Sequence, residues 1–364
     1  MARKSMESTD EEGPLPTNSP SERSLRIRPA TQTDERTETA KILRNFFRNI
    51  GFDLQQYEDP YPQELDQIAR NRIMSWNLDD KRTAHCFKLL PTVASGTQKQ
   101  YAQASIEVKT FITLYTICLF YIDDLVVKEP EKILPELQKL CKPVTSARPK
   151  SDSTCSEPCL LLWSELVASE AHLHYGPYAT GAIQKGFVEF LMGSIIEARF
   201  PHGLQEDPFS CIPSTAAHFL RDKAGSGEVY AHFMFPTHLV PEDKYLGKYF
   251  VCVRDMMDWI DFTNDILSFY KENVDLHVGV EENTYIQNRA RCEGKTPLEV
   301  LRNLCNEVVK LTESIRRGLK GEKVLEDIWE NYLNGYILFH ACDQRYRLRE
   351  LGFVFERESP KPAP

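Results

Sequence analysis

The stretch NDILSFYKE, residues 264–272, carries an amide, a hydroxyl and a carboxylate four residues apart, at Asn264, Ser268 and Glu272. At about 100° per residue these positions share one stripe of a helix, drifting about 40° per step. Three such oxygens make a mixed site for a hard cation like Mg²⁺, which prefers to keep water and phosphate oxygens in its other positions. An ordinary wet helix face is the competing reading. Against it, the preceding turns of that face are Ile260, Met257 and Val253. The stripe turns polar at one end only, as at the mouth of an apolar pocket. A second acidic group, Asp123 and Asp124, follows the apolar run LYTICLFYI and precedes Pro130. Carboxylates near a helix C-terminus meet the negative end of the dipole, at a cost of up to about 1 kcal/mol. A divalent cation would offset that cost, although acids solvated beyond the helix end are the alternative.

Helices must position these groups, and the pattern is helical almost throughout. Apolar residues recur at spacings of three and four in ETAKILRNFFRNI, PQELDQIARNRIMSW and DKRTAHCFKLLPTV. AQASIEVKTFITLYTICLFYIDD is apolar nearly all round at its end, which suits a central helix. After PEKILPELQKL, residues 142–158 form a polar, proline-bearing loop. Helical patterns resume and run to LREL, with KYLGKYFVCVRDMMDWIDFTNDILSFYKEN reading as one continuous helix. No fixed-period repeat or alternating strand stands out. The expected architecture is a single all-α domain over 34–355, a helical bundle around a central apolar pocket, with disordered tails at 1–33 and 356–364.

Bulk properties narrow the function classes. The chain has 364 residues, a net charge of -9 and a 41% hydrophobic fraction. That is enough for a large core, and without a basic run it argues against nucleic acid as a partner. The N-terminal residues show no apolar h-region, and the run FITLYTICLFYI (111–122) is too short to span a bilayer. A cytoplasmic protein without stable membrane insertion is expected. The ten cysteines are scattered, and CSEPC (155–159) lacks a partner pair for zinc. His218, His232 and the HLH of 172–174 read as packing or surface histidines rather than ligands. GSG (225–227) has no preceding strand and no following Lys-Ser/Thr, so it marks a helix break and not a phosphate loop.

NDILSFYKE fits N-D-x-x-S-x-x-K-E and so resembles the Mg²⁺-binding triad of class I terpene cyclases. GSIIEARF (193–200), HFLRDKAG (218–225) and HACDQRYRLREL (340–351) are similar to corresponding parts of fungal trichodiene synthases. The likeness runs from about residue 100 to 351. It implies three Mg²⁺ ions, with Asp123, beside Asp124, bridging two and Asn264, Ser268 and Glu272 holding the third. Arg221 corresponds to a diphosphate-sensing arginine. Lys271, Arg345 and Tyr346 correspond to diphosphate donors in a closed site, and Asp343 to the acid that then pairs with the sensor arginine. Gly225 would lie near the reacting carbon. A homodimer is also implied. The chain departs from the family pattern in having only two acids in DDLVVKE, Gln344 in DQRYR and Ala224 before Gly225.

The implied chemistry is ionisation of farnesyl diphosphate and cyclisation of the carbocation to a trichodiene-like or other fungal sesquiterpene skeleton. Leaving-group stabilisation by metal and cationic donors needs no nucleophilic side chain. Aromatic walls would exclude water and face the cation. Tyr115, Phe120, Phe190 and Trp259 are candidates, each with ordinary core packing as its alternative. Rival readings are a prenyl-chain-elongating synthase, which would carry two DDxxD motifs, and a non-catalytic helical scaffold.

Overall fold

The computed structural model describes residues 32–52, 61–141, 155–205, 213, 215–273 and 281–353. The expected tails, apart from the start of the first helix, and all of the 142–158 loop but its last four residues lie outside these. Fourteen α-helices and no strand occur among the described residues. They are α1 (Gln32–Ile50), α2 (Gln63–Ser75), α3 (Asp80–Gln100), α4 (Ile106–Lys128), α5 (Pro130–Cys141), α6 (Pro158–His174) and α7 (Pro177–Arg199). There follow α8 (Ala216–Ala224), α9 (Gly227–Phe233), α10 (Glu242–Tyr249), α11 (Val253–Asn273), α12 (Tyr285–Glu293), α13 (Pro297–Leu319) and α14 (Lys323–Cys342). The all-α expectation is met.

Local chemistry sets the helix ends. The Asp79 carboxylate accepts from the Arg82 amide at 2.9 Å to start α3, supplying an acceptor to an otherwise orphaned amide. Thr296 and Glu299 form a reciprocal capping box at α13, with Pro297 in the first turn. Val300, Leu304, Val308 and Ile315 bury one face of that helix.

Six helices close a ring: α3 packs on α4, α4 on α7, α7 on α9, α9 on α11, α11 on α14, and α14 back on α3. The others pack outside or cap it. The 23-residue α4 is long and apolar enough to cross a membrane, yet 72% of its most apolar window is buried inside the protein. Its all-round apolarity is met by α3, α6 and α7 rather than by lipid. The 111–122 run is thus only the middle of a longer helix.

Other boundaries also differ from expectation. α3 continues through Pro91 to Gln100, because its later turns pack on α14. The long pattern at 244–273 breaks at a 3-10 turn, Phe250–Cys252, which separates α10 from α11. α14 stops at Cys342, where Asp343 turns to extended backbone (φ -74°, ψ 132°) and starts a 3-10 turn at Gln344–Tyr346. α9 and α12, of seven and nine residues, are too short to show helical periodicity in the sequence.

Candidate active site

The ring encloses a cavity of about 660 Å³, within the usual range for small-molecule sites. Its polar mouth is assembled from the ends of four helices. α4 brings Asp123 and Asp124; α11 brings Asn264, Ser268, Lys271 and Glu272; α8 brings Arg221; and the turn after α14 brings Arg345 and Tyr346. Residues from both acidic groups and all the implied diphosphate donors therefore line one space. Gly225, Phe120 and Phe190 line it too.

The two neighbouring aspartates differ sharply. Asp124 Oδ2 lies 2.7 Å from His85 Nε2 and accepts from Lys128 Nζ at 2.8 Å. Burial pushes its pKa up, but these two hydrogen bonds prevail and hold it below the ordinary carboxylate value. Asp123 has no hydrogen bond or ion pair among the described residues. Burial raises its pKa, against the opposing charges of Arg345, Lys271 and Arg221. An inward carboxylate with cations nearby but no direct partner suits a metal ion better than one already neutralised.

Across the mouth, the amide of Asn264 is oriented by a buried histidine. His340 Nδ1 is 2.7 Å from the Tyr336 carbonyl, which can only accept, so that nitrogen carries the proton. Nε2 must then accept, and Asn264 Nδ2 donates to it at 3.2 Å. Burial depresses the His340 pKa to about 3, keeping the ring neutral. The Asn264 oxygen therefore faces the opposite way, 3.4 Å from Arg221 Nη2. The Ser268 hydroxyl is buried at the cavity wall with no partner among the described residues. Glu272 pairs with Lys271 at 3.1 Å. These oxygens fit the mixed donor set that Mg²⁺ accepts.

Arg221 is braced from α11. Its Nε donates to Asp265 Oδ2 at 3.0 Å, Nη2 to the Asp261 carbonyl at 3.0 Å, and Nη1 lies 3.7 Å from Asp261 Oδ1. Burial lifts the carboxyls to about 7 at Asp261 and about 6 at Asp265, with Arg221 pulling both back down. Glu197 is pushed up to about 8 by burial and then by the Asp123 charge. The α8–α9 break accommodates Asp261. A Cβ at Gly225 would collide with its Oδ1, and one at Gly227 would sit 2.8 Å from the Met257 carbonyl. Only a residue without a side chain permits this approach.

On the far rim, the Arg345 guanidinium lies 5.2 Å above the Phe120 ring and Lys271 Nζ lies 5.9 Å from the Tyr346 ring. Arg345 has no carboxylate partner among the described residues, which leaves its donor fork open to an anion.

Three expected site residues lie elsewhere. Asp343 does not meet Arg221. Its Oδ2 accepts from Thr92 at 2.9 Å and its Oδ1 from the Arg345 amide at 2.8 Å, so it caps the chain reversal. Tyr115 packs edge-on against Trp163 and Phe233 in the core. Trp259 donates to Thr312 at 2.8 Å and packs on Trp329. Each aromatic is one residue off a lining position, Thr116 or Ile260, and so is rotated by about 100°.

Sequence reasoning missed Asp261, Asp265, Glu197 and His340. The signals were available: Asp258, Asp261 and Asp265 recur at three and four, Glu197 sits within GSIIEARF, and His340 interrupts the apolar YILFHAC. The expectation for His218 holds in part. It joins Asp222 and Asp258 in a group whose ligand atoms lie within 4.8 Å of one another, but Arg254 occupies the group, 3.0 Å from Asp222 Oδ2 and 2.6 Å from Asp258 Oδ1.

Comparison with known proteins agrees with this picture. The family model described as Trichodiene synthase (TRI5) matches residues 63–362. An (E)-beta farnesene synthase of Metarhizium brunneum is 26% identical over 315 residues, covering 86% of this chain and 89% of that one. A trichodiene synthase of Trichoderma arundinaceum is 30% identical over 191 residues, 52% of this chain and 46% of that one. Among solved structures, a linalool/nerolidol synthase from Streptomyces clavuligerus in complex with 2-fluorogeranyl diphosphate superposes with a TM-score of 0.55 at 13% identity. The superposition covers 78% of this chain and all of that one, a likeness of fold. With four-fifths of its length matched by the family model, and with a helical ring around one polar-mouthed cavity, the chain belongs to the trichodiene synthase family of terpene synthases.

Proposed function

We propose that this chain is a Mg²⁺-dependent sesquiterpene synthase. It ionises farnesyl diphosphate and cyclises the cation to a trichodiene-like or other fungal sesquiterpene skeleton, releasing diphosphate. The supporting observation is the partnerless Asp123 carboxylate on α4 facing the Asn264–Ser268–Glu272 stripe on α11, across a mouth that also carries Arg221, Lys271 and Arg345.

Asp123, Asn264, Ser268 and Glu272 would hold the metal, whose chemistry is to stabilise negative charge on the departing diphosphate. The chain's own donors add to that. Arg345, Lys271 and Arg221 present cationic donors, and Tyr346 a phenol, to the same cavity. Asp261 and Asp265 hold the Arg221 guanidinium in place. Leu119, Phe120, Phe190 and Ile260 supply apolar wall that shields the cation from bulk solvent and shapes the chain.

The reading is tested by diphosphate release from farnesyl diphosphate with and without Mg²⁺, coupled to gas chromatography–mass spectrometry. Metal-dependent release with a cyclic C15 product is expected. A similar protein of Postia placenta, 27% identical, is named Monoterpene synthase 25, so geranyl diphosphate belongs in the same assay. Elongated prenyl diphosphates formed on adding isopentenyl diphosphate would instead make the chain an elongating synthase. We also read the enzyme as cytoplasmic and soluble, which fractionation of expressing cells checks.

A further inference from the structure

Below its mouth the cavity wall carries polar groups at Thr116 and Tyr230, which bond each other at 3.3 Å, at Tyr336, which donates to the Ile260 carbonyl at 3.0 Å, and on one stripe of α3. That stripe is Val93, Gly96, Thr97, Gln100 and, just past the helix, Tyr101, positions i, i+3, i+4, i+7 and i+8 of a single helical face. Gln100 is 9% exposed and Thr97 4%. Neither side chain has a hydrogen-bond partner among the described residues. The hydroxyls of Thr110 and Thr312, by contrast, each donate to the carbonyl one turn back at 2.8 Å. Tyr101, the next polar group on the stripe, is already spent on the Tyr230 carbonyl at 3.1 Å.

A buried amide without a hydrogen-bond partner is unfavourable. The cost falls if a water molecule occupies the site, which needs about 30 Å³ and two or more polar partners. Thr97 and Gln100, one turn apart and facing one cavity, supply a hydroxyl, an amide oxygen and an amide NH₂. They also sit far from the diphosphate end. Gln100 is eight residues beyond Thr92, whose hydroxyl bonds Asp343 beside Arg345, which is about 12 Å along the helix axis. Water held here would meet the hydrocarbon and not the leaving group.

We infer that Thr97 and Gln100 bind a water molecule that captures the carbocation, so that the principal product is a terpene alcohol. This rests on the terpene synthase reading above. In the step, a lone pair of the water oxygen forms a C–O bond to the cationic carbon. The surplus proton passes to the diphosphate, which departed with the electron pair of the original C–O bond. Prenyl diphosphate and water thus give alcohol and diphosphate, with no redox change.

The test is product analysis of the full chain with Mg²⁺ and farnesyl diphosphate in ¹⁸O-enriched water. The principal product should be an alcohol carrying the heavy oxygen. Gln100→Leu and Thr97→Val should each lower the ratio of alcohol to hydrocarbon by about fivefold or more, the worth of one hydrogen bond, and Thr97→Ser should restore it. Hydrocarbon as the sole wild-type product, alongside metal-dependent diphosphate release, would overturn the water site while leaving the synthase reading intact. Labelled alcohol whose proportion does not move in either variant would overturn the assignment to these residues. Absence of diphosphate release from any prenyl diphosphate would remove both.

Discussion

Two charged clusters lie along α11, and they differ in whether their groups are satisfied. Asp258 belongs to the outer one, with His218, Asp222 and Arg254. There the guanidinium reaches both carboxylates, and its Nη2 lies 2.7 Å from His218 Nε2. Two to four turns further on, Asn264, Ser268 and Glu272 face Asp123 across the cavity, and several groups go without. The side chains of Asp123, Ser268 and Arg345 have no hydrogen-bonded or ionic partner among the described residues. By composition alone the outer cluster is the better metal site, with a histidine and two acids within reach of one point. The difference teaches that density of ligands is a poor guide. A site built for a ligand leaves polar groups open toward a space, whereas a structural cluster closes on itself.

Lack of a partner is not sufficient either. His232 is fully buried and neither ring nitrogen has a partner, yet it packs between Tyr178 and Tyr249 away from the cavity. The discriminating combination is an open polar group with access to the cavity.

The largest expected effect follows from the inner cluster. Asn264→Ala combined with Ser268→Ala should cut Mg²⁺-dependent diphosphate release by about 10²–10³-fold, the usual loss when charge-stabilising donors are removed. Circular dichroism should show the fold retained. Turnover within a factor of a few of wild type would break the comparison outright.

The His232 contrast is next. Burial depresses its pKa to about 4. A histidine whose folded pKa lies below its unfolded value near 6.5 binds protons more readily when unfolded, so stability falls as pH drops through that window. The integrated loss between pH 6.5 and 4 is about 3 kcal/mol. Chemical denaturation across that range should show it, and His232→Phe should flatten the curve. An unchanged curve in the variant would assign the acid sensitivity elsewhere.

A smaller effect concerns His340, which holds the Asn264 amide with its oxygen turned to the mouth. Partners that orient a ligand are typically worth 10–100-fold in metal affinity. His340→Phe should therefore raise the Mg²⁺ concentration for half-maximal turnover by about tenfold. The rate at saturating metal should change less. Loss of turnover that no metal concentration restores would make His340 a packing residue only.

These expectations also mark what could be read in the chain and what could not. The all-α class was legible because apolar residues repeat at helical spacing through most of the chain. The Asn264–Ser268–Glu272 stripe was legible because four-residue spacing is a property of one helix. Partnership between helices was not. The i,i+4 pair of Asp124 with Lys128 is local to α4, but nothing in the sequence shows that Asp124 also meets His85 on α3 while Asp123 meets no such partner. Nor does it show that Arg221 leans on Asp261 and Asp265 rather than Asp343. The wall residues failed for a related reason. Tyr115 and Trp259 are each one position off a lining residue, and the apolar faces of α4 and α11 do not declare which side is cavity and which is core.

The smallest expected effect is the sharpest control on the comparison. Arg254→Ala strips the outer cluster of its counter-charge and leaves His218, Asp222 and Asp258 facing one another. Its side chain is half-exposed, and exposed ion pairs contribute at most about 1 kcal/mol. Thermal stability should fall by no more than that, most visibly at low salt, where screening is weakest. Diphosphate release should stay within about threefold of wild type, the change expected of a surface position off the reaction path. A loss comparable to that of the Asn264/Ser268 double variant would mean that the outer cluster belongs to the active site after all. Satisfaction of polar groups would then have misidentified which end of α11 does the chemistry.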